Sequence, residues 1–276
     1  MAGQGAGRGA GAPPHIPVII RLEPMMDLAL EQFQRDGFAV LRGYLTPDEV
    51  EHLRAGFTRF VVEIAPRLDQ RAVMYEDYGD RSTIKQSHAL DHEPSLASWK
   101  SRGKIHDLAV AMMGPVEAQN VEYFDKPVGR NHATPPHQDG YYFCLRPNEA
   151  LTVWIPLEPI DEENGALVYV KGSHKFGVRE HGASNILGFS QGLLEDPRNF
   201  GEPVVCTVAP GDVLVHHSLT VHYAGANRST RRRPVIAYTY FSTRAERDAE
   251  AKARYEAALL EQHAAKGLVA TPGSGS

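Results

Sequence analysis

From about Val116 to Ser242 the chain is cut into short β-rich runs by turn residues, and this punctuation restricts the fold more than any other feature. The runs are EAQNVEYF, GYYFCL, ALTVWIPL, ALVYV, PVVCTV, DVLVHH and RPVIAYTYF. Between them stand Pro127, Gly129, Pro147-Asn148, Glu163-Asn164-Gly165, Lys171-Gly172-Ser173 and Pro210-Gly211-Asp212. Many short strands separated in this way indicate an antiparallel barrel or sandwich rather than a βαβ array. The segment Glu180 to Pro203, with Gly182, Gly188, Gly192 and Gly201 among polar residues, reads as irregular and has the character of a lid.

The first third reads as helix. MDLALEQFQRDG places Leu28, Leu30 and Phe33 near one face and offers Gly37 as a stop. FAVLRGY follows as a short strand. Thr46 then precedes Pro47, Asp48 and Glu49, an N-cap with proline at the first helical position. That helix runs through Val50, Leu53, Phe57, Phe60 and Val61 to about Ala65, and another covers Lys104 to Met113. A last Ala/Glu/Lys-rich helix spans roughly Ala245 to Ala265. The expected fold is mainly β with a helical layer, in one domain over residues 21–266. The Gly/Ala/Pro-rich residues 1–20 and the segment 267–276 are expected as flexible tails.

The net charge of −5 argues against nucleic acid as a partner, and Arg231-Arg232-Arg233 is too short a basic run to reverse that. No apolar run approaches the roughly 20 residues that span a bilayer, so no membrane partner is expected. The N-terminal segment has no continuous apolar stretch of the secretory kind. Only two cysteines occur, Cys144 and Cys206, which imply no disulfide framework and fit a reduced, cytoplasmic setting.

Within TPPHQDG, His137 and Asp139 are two apart, a spacing that puts both side chains on one face of an extended strand. A neutral imidazole and a carboxylate suit Fe(II) when a second histidine joins them. Alone, the pair is a weak signal, and a turn in which Asp139 caps backbone amides is the ordinary reading. Downstream, PGDVLVHHSLTVHYAGAN offers His216, His217 and His222, and Arg233 stands eleven positions beyond His222 at the head of a strong strand. Arg233 next to His222 would bind a carboxylate in bidentate fashion. His216 and His217 read as strand histidines with internal partners. Gln119 and Asn120, on the run before the ligands, are candidates to hydrogen-bond a co-substrate. Tyr141, in step with His137 and Asp139, is the candidate to face substrate.

HQDG, VWIPLEPIDEENGALVYVKGSHKFG, PGDVLVHHSLTVHYAGAN and the arginine eleven residues past His222 together resemble the phytanoyl-CoA dioxygenase family of Fe(II)/2-oxoglutarate oxygenases. The resemblance covers about Gly37 to Ser242 and implies a double-stranded β-helix (jelly roll) core. It implies His137, Asp139 and His222 as iron ligands and Arg233 as the partner of the distal carboxylate of 2-oxoglutarate. It also puts Trp154 on the co-substrate pocket, and Lys85 and His88 of STIKQSHAL in a segment that approaches co-substrate or substrate. Ala224 departs from relatives that carry serine there. Keeping Asp139 implies oxidation with O₂, most simply hydroxylation of an aliphatic carbon of a small molecule or natural product, rather than halogenation. Succinate and CO₂ would be released. Desaturation or cyclisation, and a non-catalytic sensor that binds metal and 2-oxoglutarate, remain as alternatives at this point, and substrate and oligomeric state are open.

Overall fold

In this computed structural model the described residues are 22–69, 72–128, 132–186 and 189–265. The two expected tails lie outside them. The helical layer comes first. Helix α1 (Leu22–Asp36) stops at Gly37, whose φ of +86° is left-handed. A Cβ at Gly37 would stand 2.5 Å from both Thr220 Oγ1 and His174 Nδ1, so the position demands glycine on two counts. Strand β1 (Phe38–Leu41) follows, then α2 (Pro47–Arg59). Its start is the expected cap: Thr46 Oγ1 accepts the Glu49 amide and the Glu49 carboxylate accepts the Thr46 amide. A π-helical turn carries the helix on through Ile64. Next come β2 (Val73–Tyr75), β3 (Ile84–Ser87), α3 (Pro94–Ser101) and α4 (Lys104–Met113).

The β-core comprises β4 (Val116–Phe124), β5 (Thr134–His137), the one-turn helix α5 (Asp139–Phe143), β6 (Leu145–Arg146), β7 (Ala150–Pro156) and β8 (Leu167–Val170). It continues through β9 (His181–Ile186), β10 (Phe189–Leu193), β11 (Pro203–Cys206), β12 (Val213–His217), β13 (His222–Ala224), β14 (Val235–Ser242) and β15 (Glu246–Arg247), and α6 (Ala249–Ala265) closes the chain. A seven-stranded sheet runs β1-β12-β7-β14-β4-β3-β2, and a four-stranded sheet runs β11-β8-β13-β5. Every pairing within them is antiparallel, giving the expected jelly roll.

The central strands β7, β12 and β14 of the large sheet are buried on both faces, which is why they read as near-continuous apolar runs. Along β14, Ile236, Tyr238 and Tyr240 enter a core shared with Leu53, Phe60 and Leu108 of the helical layer. The alternate residues Val235 and Ala237 meet Phe38, Leu167 and Tyr169 between the sheets. Each fully buried aliphatic side chain contributes roughly 1.5–3 kcal/mol.

The structure corrects several expectations. Leu28 is exposed and Ala29 takes the buried place in α1, because the helical stripe passes one residue further along. GYYFCL is mostly helix rather than strand: Asp139–Phe143 forms α5, ending at Cys144 with a left-handed φ of +51°, and only Leu145–Arg146 is extended. The Glu180 to Pro203 segment contains β9 paired antiparallel with β10, so that paired backbone groups stand where its glycines suggest an irregular loop; Gly188 lies outside the described residues. The last helix begins at Ala249, after β15 has paired with β6.

Candidate metal centre

His137 ends β5 and His222 opens β13, and the antiparallel register sets them directly opposite one another. Asp139 does not share their strand. It is the first residue of α5, and the turn between it and His137 is locked by Gln138. The Gln138 side chain donates to the carbonyls of Gly177 (2.9 Å) and Leu219 (2.7 Å) and accepts the Arg179 amide (2.7 Å), while its own amide donates to His181 Nε2 (3.1 Å). The common face therefore comes from a strand-to-helix corner, not from strand alternation.

The three side chains offer ligand atoms that all lie within 4.8 Å of one another. Asp139 Oδ1 stands 3.6 Å from both His137 Nε2 and His222 Nε2. His137 Nδ1 faces the Pro135 carbonyl at 2.8 Å and His222 Nδ1 faces the Thr220 carbonyl at 3.0 Å. Those acceptors place the ring proton on Nδ1 and turn an Nε2 lone pair toward the shared point. Burial pushes both imidazoles below their ordinary pKa, His222 strongly. For Asp139 burial opposes ionisation, but His222, His216 and His137 outweigh it and hold the carboxyl well below the usual range. Two neutral imidazoles and one carboxylate are the donor set that suits Fe(II) and leaves coordination positions open.

Asp139 is itself held in place. Its Oδ2 accepts from Thr152 Oγ1 and His216 Nε2, each at 3.0 Å, and His216 Nδ1 in turn pairs with the Tyr169 hydroxyl at 2.9 Å. His216 has internal partners, as a strand histidine should, yet one of them is Asp139, and His216 lines the cavity. His217 points the other way, toward Phe33 and His174.

A cavity of about 330 Å³ opens beside this cluster. Arg233 reaches into it and is only 4% exposed. Its guanidinium sits 5.4 Å from the Trp154 ring centre, and its amide donates to Asp125 Oδ1 at 2.9 Å. Nε and Nη1 have no hydrogen-bond partner among the described residues. Burial brings this guanidinium down to about 10, against the opposing pull of Asp125 and Tyr123. The neighbouring arginines are engaged elsewhere, Arg231 with Asp161 at 2.6 Å and Arg232 with Asp125. A buried cation with unmet donors beside a metal-ligand cluster fits a chelating acid with a second, distal carboxylate.

Of the other sequence candidates, Trp154, Lys85 and His88 line the cavity. Lys85 is paired with Glu76 at 3.0 Å, and His88 with Glu122; burial lowers the His88 pKa, but the hydrogen bond and the charge of Glu122 together outweigh it and raise the value. Gln119 and Asn120 do not line it; Glu122 and Phe124 further along β4 do. The Gln119 side chain folds back onto the Glu117 carbonyl at 3.2 Å. Tyr141 is also outside: it stacks on His181, ring centres 4.3 Å apart, while Tyr142 and Phe143 face the cavity. Once Asp139 starts a helix, alternation by two no longer predicts which side chains share its face. Ala224 is buried in β13 and supplies no hydroxyl. Thr152, Asp125, Lys126 and Tyr255 were not anticipated; only the neighbourhood of Thr152 and Trp154 in one strand carried a signal.

The comparisons with known proteins agree with this geometry. Residues 33–235 match the phytanoyl-CoA dioxygenase family. A 1-deoxypentalenic acid 11-beta-hydroxylase from Streptomyces exfoliatus is 32% identical over 227 residues, covering 75% of this chain and 77% of that protein. The peroxisomal phytanoyl-CoA dioxygenase of Rattus norvegicus is 24% identical over 233 residues, covering 78% of this chain and 69% of the relative. Among solved structures, the nogalamycin-biosynthesis epimerase in complex with Fe3+, alpha ketoglutarate and nogalamycin RO superposes with a TM-score of 0.65 at 21% identity and 92% coverage of both chains, a likeness of fold. This chain belongs to the phytanoyl-CoA dioxygenase family and is an Fe(II)/2-oxoglutarate-dependent enzyme.

Proposed function

We propose that the enzyme hydroxylates an aliphatic carbon of a small, largely apolar molecule, consuming O₂ and 2-oxoglutarate and releasing succinate and CO₂. The observation that carries this reading is the convergence on one cavity of the His137, Asp139 and His222 donors and the unpaired guanidinium of Arg233. His137, Asp139 and His222 would hold the metal. Arg233 would bind the distal carboxylate of 2-oxoglutarate against the face of Trp154, fixing its orientation and lowering the entropy lost in the reaction. When bound, iron supplies the redox chemistry that couples decarboxylation of 2-oxoglutarate to insertion of one O₂ oxygen into a substrate C–H bond.

The chain's own contribution is positioning and the exclusion of water. His216 and Thr152 hold Asp139 Oδ2 so that Oδ1 faces the histidines. Tyr142, Phe143, Phe124 and Leu167 give the cavity apolar walls, which support an apolar substrate. The 1-deoxypentalenic acid 11-beta-hydroxylase relative supports hydroxylation of a natural product. The buried, free thiols of Cys144 and Cys206 support a reducing, cytoplasmic setting, and no helix among the described residues is long and apolar enough to cross a membrane.

The test is anaerobic Fe(II) titration followed by succinate assay over a panel of terpenoid acids and other small metabolites. One Fe(II) per chain and substrate-dependent succinate are expected, both lost in Asp139→Ala. Binding of iron and 2-oxoglutarate without succinate from any panel member would favour a sensor. Activity that survived Asp139→Ala would overturn the ligand set.

A further inference from the structure

The end of the cavity around Arg233 holds a second buried basic side chain. Lys126 lies just beyond β4, is 7% exposed and lines the same cavity. In the β4–β14 ladder Tyr123 is opposite Ile236 and Phe124 opposite Val235. Lys126 follows Phe124 by two residues and Arg233 precedes Val235 by two, so both stand just beyond the paired ends of β4 and β14, and the hydrogen bond from the Arg233 amide to Asp125 Oδ1 ties the two segments together.

The surroundings are shaped to admit the lysine stem. A Cβ at Gly165 would stand 2.7 Å from Lys126 Cδ, and Gly165 has a φ of +91°, so a larger residue would both strain the turn and displace the lysine. Asn227 Nδ2 donates to the Lys126 carbonyl at 2.7 Å and fixes its backbone. Lys126 Nζ donates to the His132 carbonyl at 2.8 Å, which uses one of its three N–H bonds.

Charges nearby do not neutralise the pair. Glu76 is engaged by Lys85, and Asp125 by Arg232 and by the Arg233 amide. No carboxylate lies within ion-pair distance of Lys126 or Arg233 among the described residues. Two buried basic groups at one end of a cavity are unfavourable when both are charged, unless an anion comes between them.

We propose that Lys126 is a second cationic arm for the distal carboxylate of 2-oxoglutarate, acting with Arg233 and taking up a proton as the co-substrate binds. The proposal rests on the reading that Arg233 faces that carboxylate. Burial, then repulsion from Arg233 and Lys85, brings the Lys126 ammonium down to about 6, with Glu76 opposing. At pH 7.5 the amine is therefore mostly neutral before the co-substrate arrives. The incoming carboxylate favours the ammonium form and draws about one proton from solvent. His132 contributes its carbonyl here, and the His88–Glu122 pair lies on the same cavity wall, so the test must isolate Lys126.

The test is calorimetric titration of 2-oxoglutarate into Mn(II)-loaded protein at pH 7.5, in phosphate and in Tris. The difference in heat between the two buffers reports protons taken up. Wild type is expected to take up about one proton per co-substrate, with affinity falling by up to roughly tenfold per pH unit between pH 7 and 8. Lys126→Met should bind more weakly, with no proton uptake and a flat pH profile over that range. A second arm uses wild type alone: 2-oxopentanoate keeps the 2-oxo acid and lacks the distal carboxylate, and should bind without proton uptake. Wild-type binding of 2-oxoglutarate that is proton-neutral, or equal uptake in Lys126→Met or with 2-oxopentanoate, overturns the inference and leaves the Arg233 reading intact. No binding of 2-oxoglutarate to wild type overturns that reading and this inference with it.

Discussion

Replacing Arg233 by methionine should stabilise the protein in the absence of ligand while abolishing its response to 2-oxoglutarate. Arg233 is 4% exposed and two of its donor nitrogens find no partner. Burial takes its pKa from an ordinary 12.5 to about 10. At about 1.4 kcal/mol per pH unit, the charged form carries a cost on the order of 3 kcal/mol, present at every pH below about 10, where the folded protein keeps the proton. Methionine has a similar reach and removes that cost. It also forfeits the stacking of the guanidinium on Trp154, worth about 1 kcal/mol. The net expectation is a gain of about 2 kcal/mol, or roughly 4–8 °C in Tm for a domain of this size. Thermal melting with and without saturating 2-oxoglutarate on Mn(II)-loaded protein is the assay. Wild type should melt higher when the ligand is added, and Arg233→Met should melt higher than unliganded wild type and show no ligand shift. A lower Tm in the unliganded variant would refute the argument that this guanidinium is held at a cost for the sake of an anion. A preserved ligand shift would refute its role in binding.

Other consequences are as open to measurement. His216→Phe removes the hydrogen bond to Asp139 Oδ2 and should weaken Fe(II) binding by about 10–100-fold, read by anaerobic titration. Thr152→Val removes the other bond to that oxygen and should act in the same direction with a smaller effect. Burial brings His181 and His217 each to about 4, so the unfolded chain binds protons there, with pKa near 6.5, that the folded chain does not. Stability conferred by these neutral histidines is complete above about pH 6.5 and is lost as pH falls toward 4, by up to about 1.4 kcal/mol per unit for each; urea melts at pH 7 and pH 5 should show the drop, and equal stabilities would contradict it. Gly37→Ala, blocked by Thr220 and His174 and strained at positive φ, should lower stability by about 2 kcal/mol or more without altering metal stoichiometry.

What the sequence determined by itself was everything that depends on local order. Turn residues delimit β7, β8, β12 and β14 to within a residue or two, and apolar runs such as VIAYTYFS announce a sheet buried on both faces. The Thr46 cap and the Gly37 stop are contained in a few adjacent residues. The motif set around His137, Asp139, His222 and Arg233 was legible through its resemblance to a known family, in which these residue types recur in this order. Tertiary structure alone decided how they meet. Alternation failed at Asp139, where a strand gives way to a helical turn pinned by Gln138, and so Tyr142 rather than Tyr141 faces the cavity. His216 became the support of Asp139 through the meeting of β12 with a corner more than seventy residues away in the chain. Lys126 came to line the same cavity as Arg233 only through the pairing of β4 with β14. Such pairings depend on strand register and on which face a side chain presents, quantities fixed by packing across the whole domain and absent from any short stretch of residues.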